Sequence, residues 1–110
     1  MINNLIVNAL NPLGISVTYQ KYSGTETTYI TFFYYLIQTE DSSDDDDETT
    51  GYYVQLNLYY KSDIGDLKEQ IVSNLKNNGF KKLDIRDFPY DTDTGNYWTA
   101  ISVFYLENNN

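Results

Sequence analysis

The sequence predicts an α+β domain in which a mostly antiparallel β-sheet of four to five strands packs against two helices. Three observations carry that reading. Residues 28–38, 51–61 and 97–106 are rich in β-branched and aromatic side chains, and 51–61 alternates cleanly with period two. Residues 63–78 instead place apolar side chains three and four apart, the period of a helix. Glycine, proline and asparagine separate these segments.

Taken in order, Ile2, Leu5, Ile6, Ala9 and Leu10 form one face of a short helix, which Asn11-Pro12 and Gly14 end. A first strand is expected over 15–22. The second, 28–38, puts Ile30, Phe32, Tyr34 and Leu36 on one face and Tyr29, Phe33, Tyr35 and Ile37 on the other. Both faces are apolar, so the strand needs cover on both sides or a partner on the second. Residues 39–50 read as an acidic, mobile loop, because clustered like charges repel and bury no apolar surface. The strand 51–61 directs Tyr52, Val54, Leu56, Leu58 and Tyr60 inward and Tyr53, Gln55, Asn57, Tyr59 and Lys61 outward, and pairs with 28–38 across that loop. The second helix, 63–78, is expected to start at Ser62 or Asp63, bury Ile64, Leu67, Ile71 and Leu75, and stop at Gly79. Residues 80–86 read as a short strand edge, and Phe88-Pro89-Tyr90 leads into a turn-rich segment, 91–96. The last strand, 97–106, sends Trp98, Ala100, Ser102, Phe104 and Leu106 one way and Tyr97, Thr99, Ile101, Val103 and Tyr105 the other.

The 110 residues suit a single domain, which at this length buries roughly two-thirds of the surface of its unfolded chain. Without cysteine there is neither a disulfide nor a thiolate metal site, and without histidine the commonest general base and metal ligand are missing. The first residues lack the basic and apolar regions of a signal peptide, and no apolar run is long enough to cross a membrane as a helix, so a cytoplasmic, soluble protein is expected. The net charge of −9 is local: Glu40, Asp41, Asp44, Asp45, Asp46, Asp47 and Glu48 are seven of the sixteen acids, and without them the balance is −2. Nothing here offers the clustered cations that hold nucleic acid.

Catalytic chemistry has little to work with. The carboxylates fall in the acidic segment or at helix starts, no serine lies in a nucleophile turn, and there is no glycine-rich phosphate loop. The acidic segment is not a calcium loop, since Asp44 to Asp47 are consecutive and cannot all converge on one ion. No enzyme activity, cofactor or metal is therefore expected. Aromatic residues make up 16% of the chain and twelve of them are tyrosine, a residue whose ring buries area while its hydroxyl stays wet. Tyr29, Phe33, Tyr35, Tyr53 and Tyr59 are the expected interface with a partner or another copy, in preference to a platform for stacking sugars or bases.

Five segments together resemble a known family: Val17-Thr18-Tyr19-Gln20-Lys21-Tyr22, Thr28-Tyr29-Ile30-Thr31-Phe32-Phe33, Gly51-Tyr52-Tyr53-Val54-Gln55-Leu56, Leu75-Lys76-Asn77-Asn78-Gly79-Phe80, and Tyr97-Trp98-Thr99-Ala100-Ile101-Ser102-Val103. Their order and character resemble the tail-completion, or tail-terminator, proteins of long-tailed bacteriophages and prophages across nearly the whole chain. The long acidic run departs from that family's short hairpin turn. The resemblance implies a virion structural protein, assembled in the host bacterial cytoplasm, that forms a ring, commonly of six subunits, on the tail tube. Its partners would be itself, the tail tube protein and the head–tail connector, with DNA only passing through the lumen. On that reading residues 40–48 either line the lumen or guide docking. An acidic DNA-mimic inhibitor of a host enzyme and a head–tail adaptor are the alternatives.

Overall fold

The computed structural model describes residues 1–41 and 48–108, with the backbone alone at 40 and 41. Helix α1 spans Asn3–Leu10 and runs into a 3-10 turn, Asn11–Leu13; strands β1 (Ser16–Tyr19), β2 (Tyr29–Asp41) and β3 (Glu48–Tyr60) come next, then helix α2 (Leu67–Asn77) and strands β4 (Lys81–Asp91) and β5 (Asn96–Asn108). The strands form one sheet in the order β1-β2-β3-β5-β4. All neighbours are antiparallel except β1 and β2, which run parallel. The α+β class, the two helices and the mostly antiparallel sheet are as the sequence predicts.

Both helices lie on one face of the sheet. The alternation of β3 drives this: Val54, Leu56 and Leu58 are fully buried, and their cross-strand partners Ile101 and Val103 on β5 and Phe32 and Ile30 on β2 complete an apolar surface. Ile6, Ala9 and Leu10 of α1 and Ile71 and Leu75 of α2 cover it. Three polar ties fix the helices there. The Tyr34 hydroxyl donates to Asn3 Oδ1, Asn74 Nδ2 donates to the Ala9 carbonyl at 3.2 Å, and Lys68 meets Asp87 of β4 at 3.2 Å. Asp87 also accepts from Thr99 Oγ1 at 2.6 Å, which satisfies a fully buried hydroxyl. That hydrogen bond first, and Lys68 second, hold the Asp87 carboxyl below its usual range.

Helix α2 is shorter than its periodicity suggests. The Asp63 carboxylate accepts the Gly65 N–H at 2.9 Å in a local turn, and Gly65 takes φ +59, so the helix begins only at Leu67. Its end is as expected. The Phe80 amide donates to the Leu75 carbonyl and the Gly79 amide to Lys76, with Gly79 at φ +91, the paired bonds of a Schellman stop.

Three strand expectations need correction. The segment 39–50 is not all loop: Thr39, Glu40 and Asp41 pair with Thr50, Thr49 and Glu48, extending the ladder to both ends of the segment. The mobility expected of its centre, and the roles expected of Asp44 to Asp47, lie outside the described residues. In β2 a bulge between Tyr34 and Leu36 shifts the register, so Leu36 pairs with Tyr53 and Ile37 with Tyr52. One extra residue exchanges the faces: Leu36 moves to the open face and Ile37 to the helix side, the reverse of the simple alternation. Finally, Lys81–Asp91 is one edge strand, and the turn is confined to 92–95. β4 has two register shifts against β5, one between Lys82 and Asp84 and one between Phe88 and Asp91; the latter accommodates Pro89, which has no N–H for a ladder.

Two outcomes test this packing. Ile71→Ala empties a fully buried position and should lower unfolding stability by about 3 kcal/mol in urea titration. Burial pushes the Tyr34 hydroxyl up from 10.0 to about 12, so folding favours its neutral form. Its contribution is complete below pH 10 and lost as pH rises toward 12. The alkaline fall in stability should be shallower in Tyr34→Phe than in the wild type.

Candidate functional site

With both helices on one side, the other face of the sheet carries no helix among the described residues. The same alternation that buries Val54 and Leu56 therefore presents Tyr53, Gln55, Asn57 and Tyr59 there. Neighbouring strands add Tyr29, Thr31 and Phe33 from β2, Trp98, Ala100, Ser102 and Phe104 from β5, and Asp84, Arg86 and Phe88 from β4.

The aromatic rings fall into two groups because the registers align them. At one end a row crosses the whole sheet. Tyr22, in the connection after β1, stacks on Tyr29 with ring centroids 3.9 Å apart. Tyr29 stacks on Tyr59 at 5.0 Å, Tyr59 on Trp98 at 5.9 Å, and Trp98 on Phe88 at 3.8 Å with planes 3° apart. At the other end Tyr35 meets Tyr53 at 5.9 Å and Tyr53 meets Phe104 at 4.8 Å. Gly51 makes room for this second group, since a Cβ there would lie 2.9 Å from the Phe104 ring.

Between the groups lies a polar saddle. Gln55 Nε2 donates to Asn57 Oδ1 at 2.8 Å, and Arg86 meets Asp84 at 3.2 Å. The stacked rings of the row bury one another's faces, so Tyr22, Tyr29, Tyr59, Trp98 and Phe88 are each half-exposed, as are Tyr53 and Phe104, while Tyr35 is exposed. Burial raises the Tyr59 hydroxyl above its ordinary value, nearby Tyr29 adds to the rise, and a hydrogen bond with Thr31 opposes it. An open depression of about 510 Å³ lies along the row, lined in part by Gln20, Lys21, Tyr22, Asp91, Thr94 and Asn96.

This arrangement is chemically quiet. It offers ring edges, hydroxyls and amides to a contacting surface. No group of three or more acidic side chains that could hold a metal occurs among the described residues. The face suits contact with another macromolecule, where aromatic residues give large area at small entropic cost.

All five residues expected at an interface lie on this face. Tyr29 and Tyr59 belong to the row, Tyr35 and Tyr53 to the second group, and Phe33 lies between them opposite Gln55. Sequence reasoning missed Tyr22, Trp98, Phe104 and Phe88. The alternation of β5 already placed Trp98 and Phe104 on one face. Phe88 had no such signal, because it sits in a segment that leads into a turn.

Elsewhere, a groove of about 460 Å³ between α2 and β4 is lined by Lys68, Lys76 and Lys82 with Glu69, over Val72 and Ile85. No family model matches the chain, and a search of curated proteins finds none that matches.

Tyr59 stacks on both sides, so Tyr59→Leu should cost about 1–2 kcal/mol in denaturant unfolding and reduce near-ultraviolet circular dichroism. Tyr59→Phe keeps the ring and should leave unfolding stability close to wild type.

Proposed function

We propose that this chain is a structural subunit of a long-tailed phage or prophage virion. It caps the tail tube as a ring and offers the joining surface for the head connector. The observation that carries the reading is the helix-free aromatic face, which holds nine aromatic side chains on and beside four strands in a chain this small. Two aromatic clusters on one uncovered face, set either side of a polar saddle, suit a place where other protein docks. The resemblance in the order of the segments supplies the identity of the assembly. Ring formation is consistent with a sheet that presents different surfaces at its two edges, as a head-to-tail contact requires.

The chain acts on this reading by covering surface rather than by chemistry. The aromatic face would lie against the tube or a neighbouring subunit, and the acidic residues 40–48 would steer docking onto a basic partner surface, an effect that weakens with salt.

The reading is tested by sedimentation with tail tubes assembled from the tube protein. The wild type should co-sediment and stop further tube growth. Tyr29→Ser combined with Tyr53→Ser should lose both while keeping the wild-type far-ultraviolet spectrum. Tubes that neither bind the wild type nor stop growing in its presence would overturn the proposal.

A further inference from the structure

The sheet has two free edges, and they are not alike. On one side β1 pairs only with residues 29–32, so from Phe33 to Asp41 no strand among the described residues pairs with β2 on that side. On the other side β4 is the terminal strand along its whole length. Ten large apolar residues are exposed among the described residues, and six of them lie on these two stretches: Tyr35, Leu36 and Ile37 on β2, and Leu83, Ile85 and Tyr90 on β4. Exposed edges of this kind are templates for pairing with another strand.

Charge differs between the same two edges. β4 opens on Lys81 and Lys82 side by side, ahead of Asp84, Arg86, Asp87 and Asp91; Arg86 meets Asp84 and Lys68 of α2 meets Asp87, so the basic excess of this edge is the lysine pair at its start. The free end of β2 leads instead into the acidic run, with Glu40 and Asp41 at its close and Glu48 at the start of β3.

The geometry points to head-to-tail association of two copies of this chain, in which the free edge of β2, residues 33–41, adds to the β4 edge of its neighbour. The inference rests on the ring reading above and gives that ring its contact. Strand directions permit it. β3 and β5 are antiparallel and β5 and β4 are antiparallel, so β4 runs opposite to β2. Two copies in the same orientation therefore meet as an antiparallel pair. Opposing Ile37 to Ile85 keeps faces matched, because Ile37 pairs with Tyr52 and Ile85 with Ile101 on the helix side of the sheet. Leu36 and Arg86 then share the open face, and the strand end bearing Glu40 and Asp41 arrives at Lys81 and Lys82. Pairing of β4 with a second β4 would cover Ile85 but leave the apolar edge of β2 bare. The heterologous contact covers both edges at once.

The test uses two variants of the full chain. In the first, Leu36→Arg and Ile37→Arg block the β2 edge. In the second, Leu83→Arg and Ile85→Arg block the β4 edge. Circular dichroism checks that each folds. Light scattering after size exclusion, up to millimolar concentration, should show the wild type as a multi-chain species and each variant alone as a single chain. Mixed, the two variants should form a species of two chains and stop there, because each retains the edge that the other lacks. Should either variant not fold, Lys81→Glu with Lys82→Glu takes its place, expected to weaken association at least tenfold and to be rescued by mixing with Glu40→Lys, Asp41→Lys. A wild type that stays monomeric at every concentration overturns the inference, as does a first variant that still dimerises alone, which is the signature of β4–β4 pairing. A wild type that assembles while both variants also assemble overturns this contact and leaves the ring reading standing. Tube binding, read separately, decides that reading by itself.

Discussion

Two short helices can cover only one face of a five-stranded sheet, and the molecule's distinctive features stem from that constraint. β3 sits at the centre, paired along most of its length with β2 on one side and β5 on the other. Its even-numbered residues, from Tyr52 to Leu58, meet α1 and α2 and are removed from water. Its odd-numbered residues have no helix to meet. A sheet in this position is ordinarily polar on its uncovered face, yet this one carries tyrosine, tryptophan and phenylalanine in register across the strands. The rings reduce the cost of exposure by stacking on one another. Ring edges and hydroxyls remain available to a partner.

Local irregularities shape that face as much as the regular ladder does. The bulge at Tyr35 adds one residue to β2 and exchanges the faces of the residues beyond it, so Leu36 joins the aromatic side and Ile37 the helix side. The connection between the parallel strands β1 and β2 brings Tyr22 onto Tyr29, and Glu26 ties it down by accepting from Ser16 Oγ and from the Tyr22 hydroxyl. Pro89 ends regular pairing on β4, confining its usable edge to the residues before it.

The charge pattern has the same directional logic. Five of the seven basic residues lie on α2 and β4, interleaved there with Glu69, Asp84, Asp87 and Asp91, while seven of the sixteen acids fall in residues 40–48 of the sequence. A molecule with unlike ends and unlike edges favours contacts in which one copy's end meets the opposite end of the next, which is the symmetry of a ring or filament rather than of an isologous pair.

Much of this was legible in the residues. Period-two alternation over 51–61 and 97–106 assigned both faces of β3 and β5 correctly, because those strands are regular and each side chain's face is set by its parity. The spacing of Ile71 and Leu75 and the glycine at 79 located α2 and its end for equally local reasons. The candidate face was half legible: Tyr29, Tyr53 and Tyr59 could be placed on it, but Phe88 could not, since its strand is recognisable only once β5 is there to pair with it. Nor could parity alone locate the bulge at Tyr35, because a run that is apolar on both sides, as 29–37 is, carries no pattern to show where the register slips. The sequence by itself thus determined the two helices, the central stretches of β2, β3 and β5 and the inward side of β3, all set by neighbours within a few residues along the chain. Only the tertiary structure decided the strand order, the parallel β1–β2 pair, the alignment of the rings and the two unequal edges, because each depends on which distant segments come to lie side by side.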